Sequence, residues 1–182
     1  DRLLQGTFVE RYKRFFVDIK LKDKIITAHC PNTGSMLGLT SQGNKAWLSK
    51  SNNPNRKLKY TLEMIKVDNE LIGINTLLTN RLVHEALSLK KIKSLAKYNN
   101  IRTEVKFSSN TRFDFLISNN NEKCFLEVKN VTLERNNKIA EFPDAVTDRG
   151  TKHLFELIST KEKGFDCCIL YLIQRQDCKT FK

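Results

Sequence analysis

The chain has 182 residues, 40% of them hydrophobic with only 7 Gly and 3 Pro, a balance that excludes collagen-like and low-complexity disordered chains. Its 32 Lys and Arg against 20 Asp and Glu leave a formal net charge of +12, and residues 1–80 carry about half of that excess. Spread so evenly, the charge suits a long polyanion, nucleic acid, better than a small anionic metabolite.

Residues 1–75 read as short strands. Val17, Ile19 and Leu21 alternate with Asp18, Lys20 and Lys22, the period of a half-buried strand. Ile25 to Cys30, Asn44 to Lys50, Tyr60 to Val67 and Leu71 to Ile74 continue the series, separated by turn-rich stretches such as Pro31-Asn32-Thr33-Gly34. Some five short strands in so few residues predict a small closed barrel of OB type, because closure removes unpaired edges. Thr79-Asn80 is a helix cap in this reading, and Leu82, Val83, Ala86 and Leu87 then recur at helical spacing to about Leu89. A basic stretch from Lys90 to Lys106 follows, either solvating a helix end and loop or contacting phosphate.

Three strand-like runs come next, Ile101 to Phe107, Arg112 to Ser118 and Cys124 to Thr132, the last two joined at Asn119-Asn120-Asn121. A helix from about Thr151 to Lys163 carries an apolar stripe of Leu154, Phe155, Leu157 and Ile158, with Asp148 or Thr147 as its cap. The unbroken apolar run Cys167 to Ile173 predicts a strand buried on both faces. The five cysteines, Cys30, Cys124, Cys167, Cys168 and Cys178, form no CxxC pair and are read as reduced thiols without a function. No apolar run reaches the roughly 20 residues that span a bilayer, and Asp1 opens no leader, so a cytoplasmic location without a membrane partner is expected.

The chemistry concentrates in Arg112-Phe113-Asp114-Phe115 and Glu127-Val128-Lys129. Alternation puts Glu127 and Lys129 on one strand face roughly 6 to 7 Å apart, and a hairpin through Asn119 to Asn121 brings Asp114 near them. Two carboxylates and a backbone carbonyl, that of Val128, suit a hard cation, Mg²⁺ or in its place Mn²⁺, and leave positions for water and phosphate. Lys129 could then orient the attacking water or neutralise developing charge. Glu85, on the flank of the first helix stripe, is the further acid. A partly buried salt bridge between Lys129 and either acid would leave the same signature.

The turn at Asn32, Thr33, Gly34 and Ser35 offers amides and hydroxyls to a phosphate, with His29 and Arg14 on adjoining strands; a plain barrel turn is the other reading. Tyr12, Phe15, Phe16 and Trp47 are candidates for base stacking, of which at most two should be exposed. Arg149, Lys152 and His153 lead into the second helix as phosphate contacts, with Asp144 a weaker metal-shell candidate.

The order helix, three strands, helix, strand, with an Asp followed by Glu-x-Lys, resembles the PD-(D/E)XK nuclease superfamily; Phe113 stands where its name has proline. A closer resemblance covers nearly the whole chain. Arg11-Tyr12-Lys13-Arg14-Phe15, His29-Cys30-Pro31-Asn32-Thr33-Gly34-Ser35-Met36, Asn80-Arg81-Leu82-Val83-His84-Glu85-Ala86-Leu87, Glu127-Val128-Lys129-Asn130-Val131-Thr132 and Phe142-Pro143-Asp144-Ala145-Val146-Thr147 are similar to segments of the sugar fermentation stimulation (SfsA) family. That resemblance implies an α+β protein: an OB-like barrel at residues 1–78, then a nuclease-like mixed-sheet domain at 79–182, cut short because family members usually continue further. It implies a DNA-binding protein linked to regulation of sugar utilisation; Arg11, Lys13, Arg14, His29, Asn32, Thr33 and Ser35 are the barrel's expected nucleic-acid contacts on the strength of the basic charge and the turn chemistry. A regulator without nuclease turnover and an RNA-processing nuclease are the alternatives, and the sequence carries no signature of an oligomeric state.

Overall fold

In a computed structural model, which describes residues 2–108, 111–136, 138–144 and 147–182, the chain forms thirteen strands and two α-helices among the described residues. The strands β1 (Leu4–Tyr12), β2 (Phe16–Leu21), β3 (Lys24–His29), β4 (Lys45–Lys50), β5 (Tyr60–Val67) and β6 (Glu70–Gly73) precede helix α1 (Thr79–Ser88). Then come β7 (Asn100–Lys106), β8 (Arg112–Ser118), β9 (Lys123–Val131), the short β10 (Leu133–Glu134) and β11 (Ile139–Glu141). Helix α2 (Asp148–Glu162), β12 (Asp166–Ile173) and β13 (Thr180–Phe181) complete the chain.

The first six strands form one sheet of order β3-β2-β1-β4-β5-β6, and the pairing of His29 with Thr61 joins β3 to β5 and closes five strands into a barrel. Alternation supplies its interior: Val17 and Ile19 point inward from β2 and meet Phe8, Ala28, Leu48, Leu62 and Ile65, all fully buried. β1 carried no strand signal of its own, because Gln5, Thr7, Glu10 and Arg11 break its apolar pattern and Phe8 alone is buried. Gly6 permits its approach to β2, since an added Cβ would lie 2.5 Å from Ile19 Cγ2 and 2.8 Å from the Lys20 carbonyl oxygen. Of the four aromatic candidates only Phe15 is exposed, while Tyr12 stacks on Phe16 at 5.5 Å.

The second sheet has the order β12-β9-β8-β7. Val83 and Leu87 of α1 pack with Phe115, Ile117, Leu126 and Val128 on one side of it, and Leu157 of α2 packs with Phe113, Leu116 and Phe125 on the other. Each helix buries less than its stripe suggests: Leu82 on α1, and Leu154, Phe155 and Ile158 on α2, are exposed. β12 is a sheet edge that packs on both faces but is only partly buried. Alternate residues do reach the two clusters, but Tyr171 and Ile173 at its end are exposed.

The expected division into two contiguous stretches gives way to an interleaved one. One compact unit is Asp1–Leu77, Val131–Ala145 and Ile173–Lys182; the other is Leu78–Asn130 and Val146–Leu172. Backbone pairing explains the return: Gln174 N–H donates to Val131 and its carbonyl accepts from Gly73 N–H, both at 2.9 Å. Buried Arg175 reinforces it, donating to the Thr132 carbonyl at 3.0 Å and to Asp177 at 2.6 Å. No described helix is long and apolar enough to cross a membrane.

Candidate active site

The centre of the second sheet is set by register. Thr103 pairs with Phe115 and Val105 with Phe113, which places Glu104 opposite Asp114; Phe115 pairs with Leu126, which carries Asp114 toward Glu127 on the third strand. The β8–β9 turn that sets this register is held by the Asn119 side chain, whose Oδ1 accepts from the Asn121 and Glu122 amides at 3.0 and 2.8 Å. Because β9 alternates, Leu126 and Val128 enter the α1-side cluster while Glu127 and Lys129 face the other way.

Here the strand row meets the first turns of α2, whose N-cap Thr147 accepts from the Gly150 amide through its side chain. Together they line a cavity of about 400 Å³ with Asn80, Glu104, Arg112, Asp114, Glu127, Arg149, Lys152, His153 and Glu156. Asp114 is held on both oxygens: Asn80 Nδ2 donates to Oδ1 at 2.8 Å and the Val128 amide to Oδ2 at 2.7 Å. Glu127, only 4% exposed, is held on one, since Lys129 Nζ donates to Oε1 at 2.8 Å and His153 Nδ1 bonds the same oxygen. Pairing of this kind is what allows a carboxylate to stay inside a protein.

Asp114 and Glu127 line one cavity, and Lys129 reaches it through its bond to Glu127. Glu85 does not join them: it is exposed on α1 and lines no part of the cavity, because the helix turns Asn80, one and a half turns earlier, toward Asp114. Asn80 and Thr79 are therefore no helix cap; Leu78 holds that position without a side-chain bond, and Thr79 donates to Asn130 at 3.0 Å. Arg149, Lys152 and His153 all line the cavity, and His153 Nδ1 also bonds Glu127. Glu104, Glu156 and Arg112 were missed. Only strand register reveals Glu104, and Glu156 is reached by Lys152 from one helical turn away at 3.7 Å.

The anion cradle expected on the barrel is already filled. Asp144 Oδ2 accepts from the Ser35 amide at 3.0 Å, and Asn32 Oδ1 from the Gly34 amide at 2.9 Å. Asp144 thus clamps a loop within the barrel unit; Ala145 and Val146 of the same motif lie outside the described residues. Arg11 is engaged inside as well, donating to the carbonyls of Asn32 at 2.8 Å, Gly34 at 3.1 Å and Arg14 at 3.0 Å. His29 has a buried Nδ1 without a hydrogen-bond partner, and burial, then Arg56, lowers its pKa below the ordinary value, which disfavours its charged form. Lys13, Arg14, Thr33 and Ser35 remain exposed.

The cavity's donors fit a hard divalent cation in type, being carboxylate oxygens with unused lone pairs. Among the described residues no three His, Cys, Asp or Glu side chains gather as a ready-made metal cluster. Mg²⁺ asks for less, since one or two carboxylates with water and phosphate complete its shell.

Residues 77–182 match the family model described as the sugar fermentation stimulation protein RE domain, and residues 9–74 match the SfsA N-terminal OB domain. The chain is 51% identical over 180 residues to a sugar fermentation stimulation protein homolog of Pelagibacter ubique, spanning 99% of this chain and 78% of that protein. A homolog from Caulobacter vibrioides is 47% identical over 181 residues, spanning 98% and 76%. A solved structure of Pyrococcus furiosus SfsA in complex with Ca²⁺ superposes with a TM-score of 0.89 at 24% identity, covering 100% of this chain and 77% of that one, and shows the same fold. With both of its parts matched in order and half of its residues shared with a relative, the chain belongs to the sugar fermentation stimulation protein family.

Proposed function

We propose that this protein is a cytoplasmic DNA-binding member of its family, acting in the control of sugar utilisation, whose α/β unit hydrolyses phosphodiesters in the manner of a PD-(D/E)XK nuclease with Mg²⁺ or Mn²⁺. The observation that carries this reading is a polar cavity lined by Asp114, Glu127, Arg149 and Lys152, with Lys129 bonded to Glu127 beside it. When bound, the cation supplies Lewis acidity to the phosphate and acidifies its water. Asp114 and Glu127 provide the oxygens to hold it, and the Val128 carbonyl is the third donor proposed. Asn80 and the Val128 amide fix the Asp114 carboxylate. Lys129, a cation beside Glu127, stabilises negative charge growing on the phosphate, and Arg149 and Lys152 hold flanking phosphates. The Ca²⁺ named with the Pyrococcus furiosus structure belongs to that protein, and is a hard oxygen-seeking ion of the kind proposed here.

The test is cleavage of plasmid, single-stranded and branched DNA, and of RNA, in Mg²⁺ or Mn²⁺, by wild type, Asp114→Asn and Glu127→Gln. Metal-dependent cleavage lost in both variants supports the reading, and RNA as the sole substrate would change its class. A second reading, a DNA-binding regulator without turnover, draws on Glu127 Oε1 being taken by Lys129 and His153 and on the lack of a ready-made cluster among the described residues. Wild-type binding without cleavage on any substrate would favour it.

A further inference from the structure

We propose that His153 is a positioning residue of this cation site: its Nδ1–H, with Lys129, pins Glu127 by Oε1 and so leaves Oε2 to face a divalent cation. The inference rests on the cation reading above and adds to it a residue that neither Asp-Glu-x-Lys spacing nor phosphate binding by α2 supplies.

Hydrogen-bond chemistry fixes the roles. An ionised carboxylate oxygen only accepts, so the hydrogen between His153 and Glu127 belongs to Nδ1. Lys129 Nζ is also a donor only, so its 3.3 Å approach to His153 Nδ1 is a meeting of two donors on one shared acceptor, Glu127 Oε1. Among the described residues no hydrogen bond reaches Glu127 Oε2, and Glu127 lines the cavity. An exposed, unpaired glutamate loses its rotamer freedom when an ion binds. Held beforehand on Oε1, this one presents Oε2 with that loss already taken in folding.

His153 is placed for the task by α2. It lies one turn beyond Arg149, its side chain is 19% exposed, and the helix is anchored behind it by Leu157 against Phe113, Leu116 and Phe125. Outer-shell partners of this kind, which orient a ligating group without touching the ion, typically cost 10- to 100-fold in metal affinity when removed.

Mn²⁺ binding to the full chain, read from the electron paramagnetic resonance of free Mn²⁺, tests this without requiring turnover. Wild type, Asp114→Asn, His153→Ala, His153→Asn and His153→Gln are compared. The Asn amide nitrogen replaces Nδ1, and the Gln amide nitrogen replaces Nε2. Expected is binding by wild type, its loss in Asp114→Asn, a fall of about 10- to 100-fold in His153→Ala and His153→Gln, and recovery of most affinity in His153→Asn. If His153→Ala does not fold, the comparison of Asn with Gln decides. Undiminished affinity in His153→Ala, or rescue by Gln and not Asn, overturns the inference while leaving the cation site standing. Failure of wild type to bind Mn²⁺ overturns the cation site itself, and the inference with it.

Discussion

Two acids of similar chemistry are held in the cavity by different means. Asp114 is bonded on both oxygens by neutral amides, whereas Glu127 receives a cation and an imidazole on one. Removing Lys129 should therefore act on two levels. On the proposed function it takes the cation from the neighbourhood of the phosphate, for which a loss of about 10²- to 10³-fold in cleavage is expected of Lys129→Ala. It also leaves the buried Glu127 carboxylate with His153 alone, so thermal denaturation should show a lowered melting temperature. Lys129→Met, which keeps the volume without the charge, should be as inactive. A second residue-scale prediction concerns His29, whose pKa burial and then Arg56 hold below the ordinary value. A histidine with a depressed folded pKa binds its proton more readily when unfolded, so its contribution is complete above about 6.5 and lost as pH falls toward the folded value. The melting temperature should fall between pH 7 and 5, and His29→Gln should fall less over that range.

At the scale of elements, what was legible in the sequence followed local periodicity. β2, β5, β8 and α1 lie within a residue or two of their expected bounds, because alternation and helical spacing are properties of neighbours along the chain. That Asp114 and Glu127 line one cavity was legible for the same reason, since it needs only one hairpin. What could not be read depends on partners far away: Asn80 beside Asp114, Glu104 in register with it, and Asp144 over a loop 109 residues earlier. That loop yields a third prediction. An added Cβ at Gly34 would run into Asp144 Oδ2, so Gly34→Ala must displace the carboxylate that accepts from Ser35 N–H. Gly34→Ala and Asp144→Ala should each cost about 1 kcal/mol, the size of one net hydrogen bond. The double variant should cost less than their sum, because the clash vanishes with Asp144. Urea denaturation of the four proteins measures this, and full additivity would show that the two residues do not share one interaction.

The whole chain is threaded through its units more than once, since 131–145 and 173–182 return to the barrel unit. A sequence carries no local mark of such a return: β10 and β13 are two residues each, and β13 finds its partner β11 some forty residues earlier. Charge is a property of the same scale. A net +12 should give DNA affinity that falls steeply with added salt, through release of condensed counterions. Yet the cations near the barrel's first turn are not equivalent. Lys13 and Arg14 are exposed, held at φ 47° and 62° on the tip between β1 and β2, while the Arg11 guanidinium ties down backbone carbonyls of Asn32, Gly34 and Arg14. Lys13→Ala with Arg14→Ala should leave the melting temperature nearly unchanged and reduce the slope of log affinity against log salt by about 0.9 for each phosphate that is no longer neutralised. Arg11→Ala should do the reverse. Two of its charge-assisted bonds, to Asn32 and Gly34, are partly buried, so about 2 kcal/mol of stability should go, with little change in salt slope for the protein that stays folded. Fluorescence-anisotropy titrations of duplex DNA at several salt concentrations, beside thermal denaturation, separate the two. If all three cations contributed equally to the slope and none to stability, the Arg11 side chain would have to be released from its carbonyls when DNA binds.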